Sequence, residues 1–298
     1  MEESGGPKIS DVTVQLAARI AQRARTAKLR GVCLTIGLCG PQGSGKSTLT
    51  PILKRLVEES GLTVAMLSLD DFYLPLSERE ELACTVHPLL KTRGVPGTHD
   101  LDLALQVLAG LRREGIVSLP AFDKACDDRR PPSEWARARG PVDVILFEGW
   151  CVGALPQPEE SLALPLNSLE SEEDANGTWR HYVNHALAEA YQPLFRQIDF
   201  LILLAAPSFD IVYQWRLEQE NELRRRVAAQ GGDVSRLMTD AQLERFVCHY
   251  ERLTRHILAE MPARSDIVVS LDSQRHMQIA KAFHSATAPR IIRRSLWS

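Results

Sequence analysis

The chain has 298 residues, of which 44% are hydrophobic and 24% charged, values close to the average of globular proteins. These proportions exclude a disordered chain, a collagen-like repeat and a polytopic membrane protein. The formal net charge of −3 gives no basic excess, which argues against a protein that binds nucleic acid through bulk attraction to phosphate.

The chain shows no sign of secretion or membrane insertion. Residues 1–10 are acidic and polar and do not fit a secretory signal, and the longest apolar run, 200–207, is far shorter than the roughly 20 residues of a membrane span. Six cysteines are scattered without a CxxC pair, as is typical of reduced thiols. We therefore expect a cytoplasmic protein that contacts neither membrane nor nucleic acid, and its oligomeric state stays open.

Short apolar runs alternate with segments of helical periodicity. Five runs are typical of buried strands, at residues 33–38, 62–67, 142–147, 200–204 and 267–271. Apolar stripes at helical spacing occupy residues 12–20, 49–57, 103–111 and 243–257. Asp11 is placed to cap the first helix, and Thr239 with Gln242 has the capping-box pattern at the start of the last. The alternation predicts an α/β fold with a mostly parallel sheet and helices on both faces.

No internal repeat interrupts this pattern, so we expect one domain over residues 1–298. Residues 1–30 would form an N-terminal helical extension. Residues 154–178, which are rich in Pro and Glu, are predicted to form a surface insertion, because the alternation of strands and helices resumes after them.

The first predicted strand is followed directly by a phosphate-loop motif, GxxxxGK[ST]. It consists of Gly40, Pro41, Gln42, Gly43, Ser44, Gly45, Lys46 and Ser47, followed by Thr48. Glycines let backbone N–H groups turn toward phosphate oxygens, and the N-terminus of the next helix adds a positive dipole. In such loops the lysine reaches the β- and γ-phosphates, and the hydroxyl after it ligates Mg²⁺. The strand–loop–helix context disfavours a chance glycine-rich turn.

The loop predicts that the protein binds a nucleoside triphosphate, but it does not indicate which reaction follows. An NKxD guanine-reading motif does not occur in the sequence, which disfavours a GTPase. Gly43 and Gly45 do not begin a dinucleotide fingerprint, because Thr48 stands where the third glycine belongs.

Carboxylates follow two further predicted strands. Asp70 and Asp71 come after the second run, and Glu148 ends the third in the manner of a Walker B strand. Since parallel sheets bind ligands at the carboxyl ends of their strands, Glu148 is a candidate to hold Mg²⁺ together with Ser47. A neighbouring carboxylate can accept a proton from an attacking hydroxyl. The alternative is that these acids only cap the helices that follow.

Longer motifs make the sequence recognisable. The phosphate loop, the segment LDDFY (69–73) and Glu148 resemble the uridine kinase, phosphoribulokinase and pantothenate kinase group. Further stretches resemble the plant and fungal type of D-glycerate 3-kinase and its bacterial relatives: RGVPGTHD (93–100), PAFDK (120–124), EGWCVG (148–153), WRHYVN (179–184) and WRLEQE (215–220). The likeness extends from about residue 36 to near residue 271.

This resemblance implies a P-loop fold with a helical lid and ATP-dependent phosphorylation of D-glycerate to 3-phosphoglycerate. Residues 40–48 would hold the triphosphate, and Lys46 would draw charge from the γ-phosphate. Ser47 and Glu148 would hold Mg²⁺, Asp70 matches the catalytic base of the group, and the lid would lie around residues 216–226.

Binding a small hydroxy acid requires fixed cations near its carboxylate. The candidate substrate ligands lie between the second strand and Glu148: Asp71, Tyr73, Arg93, His99, Lys124 and Arg129. Arginine pairs with carboxylates through two parallel hydrogen bonds, whereas lysine acts as a point charge. The alternatives are that the basic residues are solvated surface charge and that His99 is a structural histidine.

The lid candidates are Arg216 and Arg224, on a predicted helix that ends at Gly231 and Gly232. One arginine of this region would neutralise charge on the transferred phosphoryl group. The alternative is a solvated helix with pairs such as Glu220 with Arg224.

Two rival functions remain at this level. One is a kinase for another small acceptor, such as pantothenate or a nucleoside, and the other is an ATP-binding regulatory module without a metabolite substrate. His181 and His185 lie four residues apart but lack the companion ligands of a metal site.

Overall fold

The computed structural model describes residues 9–231 and 237–282. Residues 1–8 of the predicted N-terminal extension and Gly232, at the expected end of the lid helix, lie outside this description. Within it, the strands are β1 (Leu34–Cys39), β2 (Val64–Ser68), β3 (Gly115–Leu119), β4 (Phe122–Asp123), β5 (Asp128–Arg129), β6 (Ala136–Gly140), β7 (Val144–Gly149), β8 (Phe200–Ala205), β9 (Ile267–Leu271) and β10 (Met277–Ala282). The α-helices are α1 (Asp11–Lys28), α2 (Lys46–Glu58), α3 (Leu76–Thr85), α4 (Leu101–Leu111), α5 (Ser168–Glu173), α6 (Thr178–Glu189), α7 (Tyr191–Phe195), α8 (Phe209–Ala229) and α9 (Asp240–Arg264).

A six-stranded sheet in the order β10-β9-β8-β1-β7-β2 forms the centre of the molecule. Its strands pair in parallel except β10, which is antiparallel to β9. The five predicted strands are confirmed as β1, β2, β7, β8 and β9. Two further pairs, β3 with β6 and β4 with β5, lie outside this sheet.

Helices cover both faces of the sheet, as predicted. Along β1, Leu34, Ile36 and Leu38 belong to the apolar cluster shared with α1 and α2. Cys39 belongs to the other cluster, which includes Phe147 and apolar residues of α4 and α9. Because both faces are covered, β1 and β7 are buried along their whole length, and their sequences are mostly apolar.

The first helix shows one error in the sequence prediction. Ser10, and not Asp11, caps α1, because the Ser10 hydroxyl accepts a hydrogen bond from the Thr13 N–H. Asp11 lies in the first turn, where its negative charge is favourable to the helix dipole. The capping box of Thr239 and Gln242 at the start of α9 is confirmed.

Residues 154–178 pack onto α9 through ion pairs. Arg252 bonds both carboxylate oxygens of the fully buried Glu170, at 2.6 and 2.7 Å, and Arg245 bonds Glu173 at 2.6 Å. The segment is therefore fixed to the helix that forms one wall of the site described below. None of the helices in the described part of the chain is long and apolar enough to cross a membrane.

Candidate active site

The phosphate loop connects β1 to α2, and its close packing explains its glycines. Gly43 and Gly45 have φ angles of +76° and +85°, which favour glycine. A Cβ on Gly43 would lie 2.6 Å from the Cβ of Trp215 on α8. On the outer side, the Arg275 Nε donates to the Gly43 carbonyl oxygen at 2.8 Å. The loop is thus held between α8 and the turn after β9.

The loop fits a phosphate ligand. The Ser44 hydroxyl is buried and lacks a hydrogen-bond partner among the described residues. The ammonium of the buried Lys46 donates to the carbonyl oxygens of Gly40 and Pro41, at 2.6 and 3.0 Å. Lys46 also begins α2, so the positive end of the helix dipole faces the loop.

Two side-chain oxygens that could bind a cation, one from the loop and one from β7, lie close together. The Ser47 hydroxyl lies 3.4 Å from Oε1 of Glu148, at the end of β7. In the parallel register, Glu148 stands opposite Leu38, near the end of β1. A hydroxyl and a carboxylate so close together suit a hard cation such as Mg²⁺.

The loop and the predicted acceptor residues share one cavity of about 360 Å³. It is lined by Gln42, Gly43, Lys46, Ser47, Asp70, Tyr73, Arg93, Lys124, Glu148, Trp150, Arg216, Gln219, Phe246 and Tyr250. The structure therefore brings together both predicted catalytic residues, both predicted metal ligands, three of the predicted substrate ligands and one of the predicted lid arginines.

Asp70 lies in a short 3₁₀ helix directly after β2. Its Oδ1 accepts a hydrogen bond from the Tyr73 hydroxyl at 2.9 Å, and its Oδ2 lies 2.6 Å from the Lys124 ammonium. Burial raises the pKa of Asp70. The charge and hydrogen bond of Lys124, together with the Tyr73 hydrogen bond, lower this pKa by more than burial raises it, so the pKa lies below its ordinary value. Asp70 is therefore ionised at neutral pH.

Arg93 supplies a second cation to the cavity wall. Its guanidinium forms an ion pair with Asp127 and lies 5.5 Å from the centre of the Phe122 ring. The Tyr250 hydroxyl donates to the Arg93 carbonyl oxygen at 2.9 Å, which fixes the backbone at this point.

Two predicted substrate ligands lie away from the cavity lining. The Asp71 carboxylate accepts a hydrogen bond from the Phe122 N–H at 3.2 Å and lines a separate groove beside β2. The Arg129 guanidinium donates twice to the Tyr73 carbonyl oxygen, at 2.8 and 3.2 Å, and once to Asp100 at 3.0 Å. Both side chains therefore support the wall of the site, a role that differs from the expected alternatives of a helix cap for Asp71 and solvated surface charge for Arg129.

His99 is buried behind the same wall. Its Nδ1 lies 2.6 Å from the Tyr191 hydroxyl, and its ring packs 4.6 Å from the Tyr73 ring. Burial lowers the pKa of His99 to about 3, so the imidazole is neutral. The Nδ1 contact fits the alternative of a structural histidine, whereas Nε2 is buried without a hydrogen-bond partner among the described residues.

The two arginines predicted to lie in a lid, Arg216 and Arg224, differ in position. Arg216 lines the cavity, where it pairs with the buried Glu220 at 3.2 Å and lies 5.9 Å from the Phe246 ring centre. Arg224 binds the Met238 carbonyl oxygen and pairs with Asp240 at 2.7 Å, so its charge is used to join α8 to the start of α9.

Sequence reasoning missed four residues of the lining: Trp150, Gln219, Phe246 and Tyr250. Phe246 and Tyr250 belong to the apolar stripe of α9, and helical spacing alone does not separate a core face from a cavity wall. The Trp150 indole N–H donates to the Gly94 carbonyl oxygen at 2.8 Å. Trp150 and Gln219 lie in the motifs EGWCVG (148–153) and WRLEQE (215–220), which were the available signals for these two residues.

Comparisons with known proteins identify relatives of this chain. No protein-family model matches the chain. The chain is 36% identical over 233 residues to the uncharacterized kinase mug58 of Schizosaccharomyces pombe, a match that covers 75% of this chain and 80% of that protein. It is 32% identical over 265 residues to the chloroplastic D-glycerate 3-kinase of Arabidopsis thaliana, covering 83% of this chain and 54% of that protein.

Among solved structures, D-glycerate 3-kinase from Cryptococcus neoformans superposes with a TM-score of 0.73 and 28% sequence identity, covering 91% of this chain and all of that one (100%). The shared fold, the phosphate loop and the sequence identity point to one conclusion. The chain belongs to the family of P-loop kinases that contains these proteins, and it is an ATP-dependent small-molecule kinase.

Proposed function

We propose that the protein transfers the γ-phosphoryl group of ATP to the 3-hydroxyl of D-glycerate, giving 3-phosphoglycerate and ADP. The similarity to two D-glycerate 3-kinases supports this acceptor. The cavity supports it as well, because Arg93, Lys124 and Arg216 bring three cationic side chains to its wall.

One observation carries the proposal: Asp70, ionised and held by Tyr73 and Lys124, opens into the same cavity as Lys46 and Ser47. A base and a phosphate loop on one small cavity are what phosphoryl transfer to an alcohol requires.

In the proposed reaction, Asp70 orients the acceptor hydroxyl and takes its proton as the oxygen bonds to the γ-phosphorus. The bond from this phosphorus to the β–γ bridging oxygen breaks, and ADP leaves. The Lys46 ammonium exchanges its carbonyl partners for phosphate oxygens, and the loop N–H groups bind the same oxygens. Mg²⁺ held by Ser47 and Glu148 would supply positive charge to the β- and γ-phosphates.

The carboxylate of the acceptor would bind the Arg93 guanidinium, with Lys124 as an additional point charge. Asp71, His99 and Arg129, in this proposal, hold the wall in place and do not contact the acceptor. Arg216, rather than Arg224, would reach the transferred phosphoryl group, because it lines the cavity.

A coupled assay of ADP release tests the proposal directly. The purified chain is supplied with ATP and Mg²⁺ and with D-glycerate, L-glycerate, glycolate, pantothenate or uridine in turn. We expect D-glycerate to accelerate ADP release above all others. Asp70→Asn should lower this rate about 10²–10⁴-fold and leave ATP binding intact, since general-base catalysis contributes that much.

Asp71→Asn is the matched control, because it changes the adjacent carboxylate, which lies outside the cavity lining, and keeps an oxygen that can accept the Phe122 hydrogen bond. Acceleration by pantothenate or uridine instead would replace D-glycerate by another acceptor. A flat response to every acceptor would contradict the proposal and favour an ATP-binding module.

We also propose that the protein acts in the cytoplasm, although the Arabidopsis relative is named as chloroplastic. The six cysteines are all free, and Cys39 and Cys151 are buried, as suits a reducing compartment. Cell fractionation with a tagged chain tests the location.

A further inference from the structure

A fully buried arginine lies behind the acceptor side of the cavity. Arg79 is the buried residue of α3, with 0% of its surface exposed. A charged side chain is rarely buried completely unless its hydrogen-bonding groups are all used. The contacts of Arg79 therefore indicate what its burial accomplishes.

The Arg79 guanidinium connects three separate segments. Nε donates to the Leu74 carbonyl oxygen at 3.2 Å, and Nη1 donates to the Lys91 carbonyl oxygen at 2.7 Å. Nη1 also bonds Oδ2 of Asp127 at 3.2 Å, and Nη2 bonds the Asp127 backbone oxygen at 2.5 Å. The planar group of five donors thus holds both the backbone and the side chain of Asp127.

Asp127 lies in the turn between β4 and β5, at a φ of +54°. This left-handed conformation is unfavourable for most residues, and aspartate is among the few that tolerate it. Two functional cations depend on the same turn. Lys124, three residues earlier, reaches Asp70, and the other carboxylate oxygen of Asp127 pairs with Arg93.

We propose that Arg79 is a positioning residue for acceptor binding: it locks the β4–β5 turn so that Lys124 meets Asp70 and Asp127 aims Arg93 into the cavity. This inference concerns the acceptor half of the site and rests on the proposed function for the identity of the acceptor. Arg79 itself does not line the cavity, so it acts through the turn.

The test variant is Arg79→Lys, which keeps the positive charge beside Asp127 but cannot bond three segments at once. Glu80→Gln is the matched control, because Glu80 is the next residue on α3 and pairs with Lys91 on the surface, at 2.8 Å. We expect Arg79→Lys to raise the KM for D-glycerate about tenfold, as expected when charge-assisted hydrogen bonds are lost. The KM for ATP should stay within about twofold, because the phosphate loop shares none of these contacts.

Hydrogen exchange read by mass spectrometry gives a second measurement that needs no acceptor. Peptides over residues 122–129 should exchange faster in Arg79→Lys than in the parent chain, whereas peptides over residues 40–50 should not change. Unchanged exchange at 122–129, or equal rises in both KM values, would overturn the role of Arg79. Faster exchange at 122–129 in a protein that does not phosphorylate D-glycerate would support the locked turn and refute the proposed acceptor.

Discussion

The two halves of the site are built in different ways. The phosphate half is one continuous loop, residues 40–48, whose shape depends on the close packing of Gly43 against Trp215. The acceptor half combines segments 69–73, 93–100 and 122–129, which are tied together by ion pairs. A loop of the first kind fails when an atom is added where no space exists. A network of the second kind loses function in graded steps as single ties are removed.

Gly43→Ala should have the largest effect. The new Cβ meets Trp215 at 2.6 Å, and the φ of +76° is unfavourable for alanine, so the loop cannot keep its shape. We expect ATP binding, measured by isothermal titration calorimetry, to fall below detection. The free energy of unfolding should drop by about 1–3 kcal/mol, the usual range for overpacking.

Gly61→Ala is the control for the effect of a positive φ angle without any packing contact. Gly61 has a φ of +84° in a surface turn, with nothing within 4 Å of an added Cβ. This variant should lose about 1 kcal/mol of stability and bind ATP normally. Normal ATP binding by Gly43→Ala would show that the loop tolerates packing changes. It would contradict the proposed difference between a phosphate half that fails at once and an acceptor half that loses function gradually.

The two arginines of α8 that were predicted to lie in a lid should give the next largest difference. Arg216→Gln should lower kcat about 10²-fold, the typical loss of one electrostatic contact to a developing charge. Arg224→Gln should leave kcat nearly unchanged, since Arg224 is bound to Asp240 and Met238. Steady-state kinetics on both variants decides this, and equal losses would mean that both arginines reach the phosphoryl group.

Lys124→Met tests the acceptor half of the site through the pKa of Asp70. Because the charge and hydrogen bond of Lys124 lower the pKa of Asp70, their removal raises it. More of Asp70 is then protonated at a given acidic pH, so the acid limb of kcat/KM for D-glycerate should move to higher pH. The KM should also rise about tenfold through the lost cation.

A pH profile of the purified variants measures this shift, with Lys91→Met as the control because Lys91 pairs with Glu80 away from the cavity. Linkage gives the same sign for stability. The contribution of ionised Asp70 is present above its unfolded pKa and is lost as the pH falls through its lower folded pKa, and Lys124→Met should reduce it. An acid limb that does not move would mean that Asp70 is not the titrating base.

Arg129→Lys should have the smallest effect on catalysis. Loss of the hydrogen bonds to Tyr73 and Asp100 should cost about 1–3 kcal/mol of stability in urea unfolding. The KM for D-glycerate should change about twofold or less. A large rise in KM without a loss of stability would instead make Arg129 a substrate ligand.

Much of the fold could be predicted because the central strands are buried on both faces. The apolar run 267–271 coincides with β9, and the runs for β1, β2, β7 and β8 differ from the strands by a few residues at their ends. The strand β10 and the pairs outside the central sheet were not predicted. The strands β3 and β6 are largely exposed, β4 and β5 have only two residues each, and β10 has no continuous apolar run, so the signal that marked the central strands is absent from all of them.

The site was predictable to the extent that its chemistry is local. The phosphate loop is contiguous, and the carboxylates follow strands whose ends meet at one edge of the sheet. The partners of Arg93 and Arg79 could not be foreseen, because Asp127 reaches both across a tight turn far along the chain. Arg129 and Lys124 come from the same short hairpin, and the direction of each side chain places Lys124 in the cavity lining and Arg129 outside it.

One tryptophan side chain lies at each half of the site, Trp215 at the phosphate half and Trp150 at the acceptor half. Trp215 is buried against Gly43, and Trp150 lies on the cavity wall, bonded to the residue after Arg93. Because tryptophan emission responds to its surroundings, we expect the emission of Trp215 to change on nucleotide binding and that of Trp150 to change on acceptor binding. Trp215→Phe and Trp150→Phe then separate the signal of nucleotide arrival from that of acceptor arrival, and stopped-flow mixing can establish the order in which they bind.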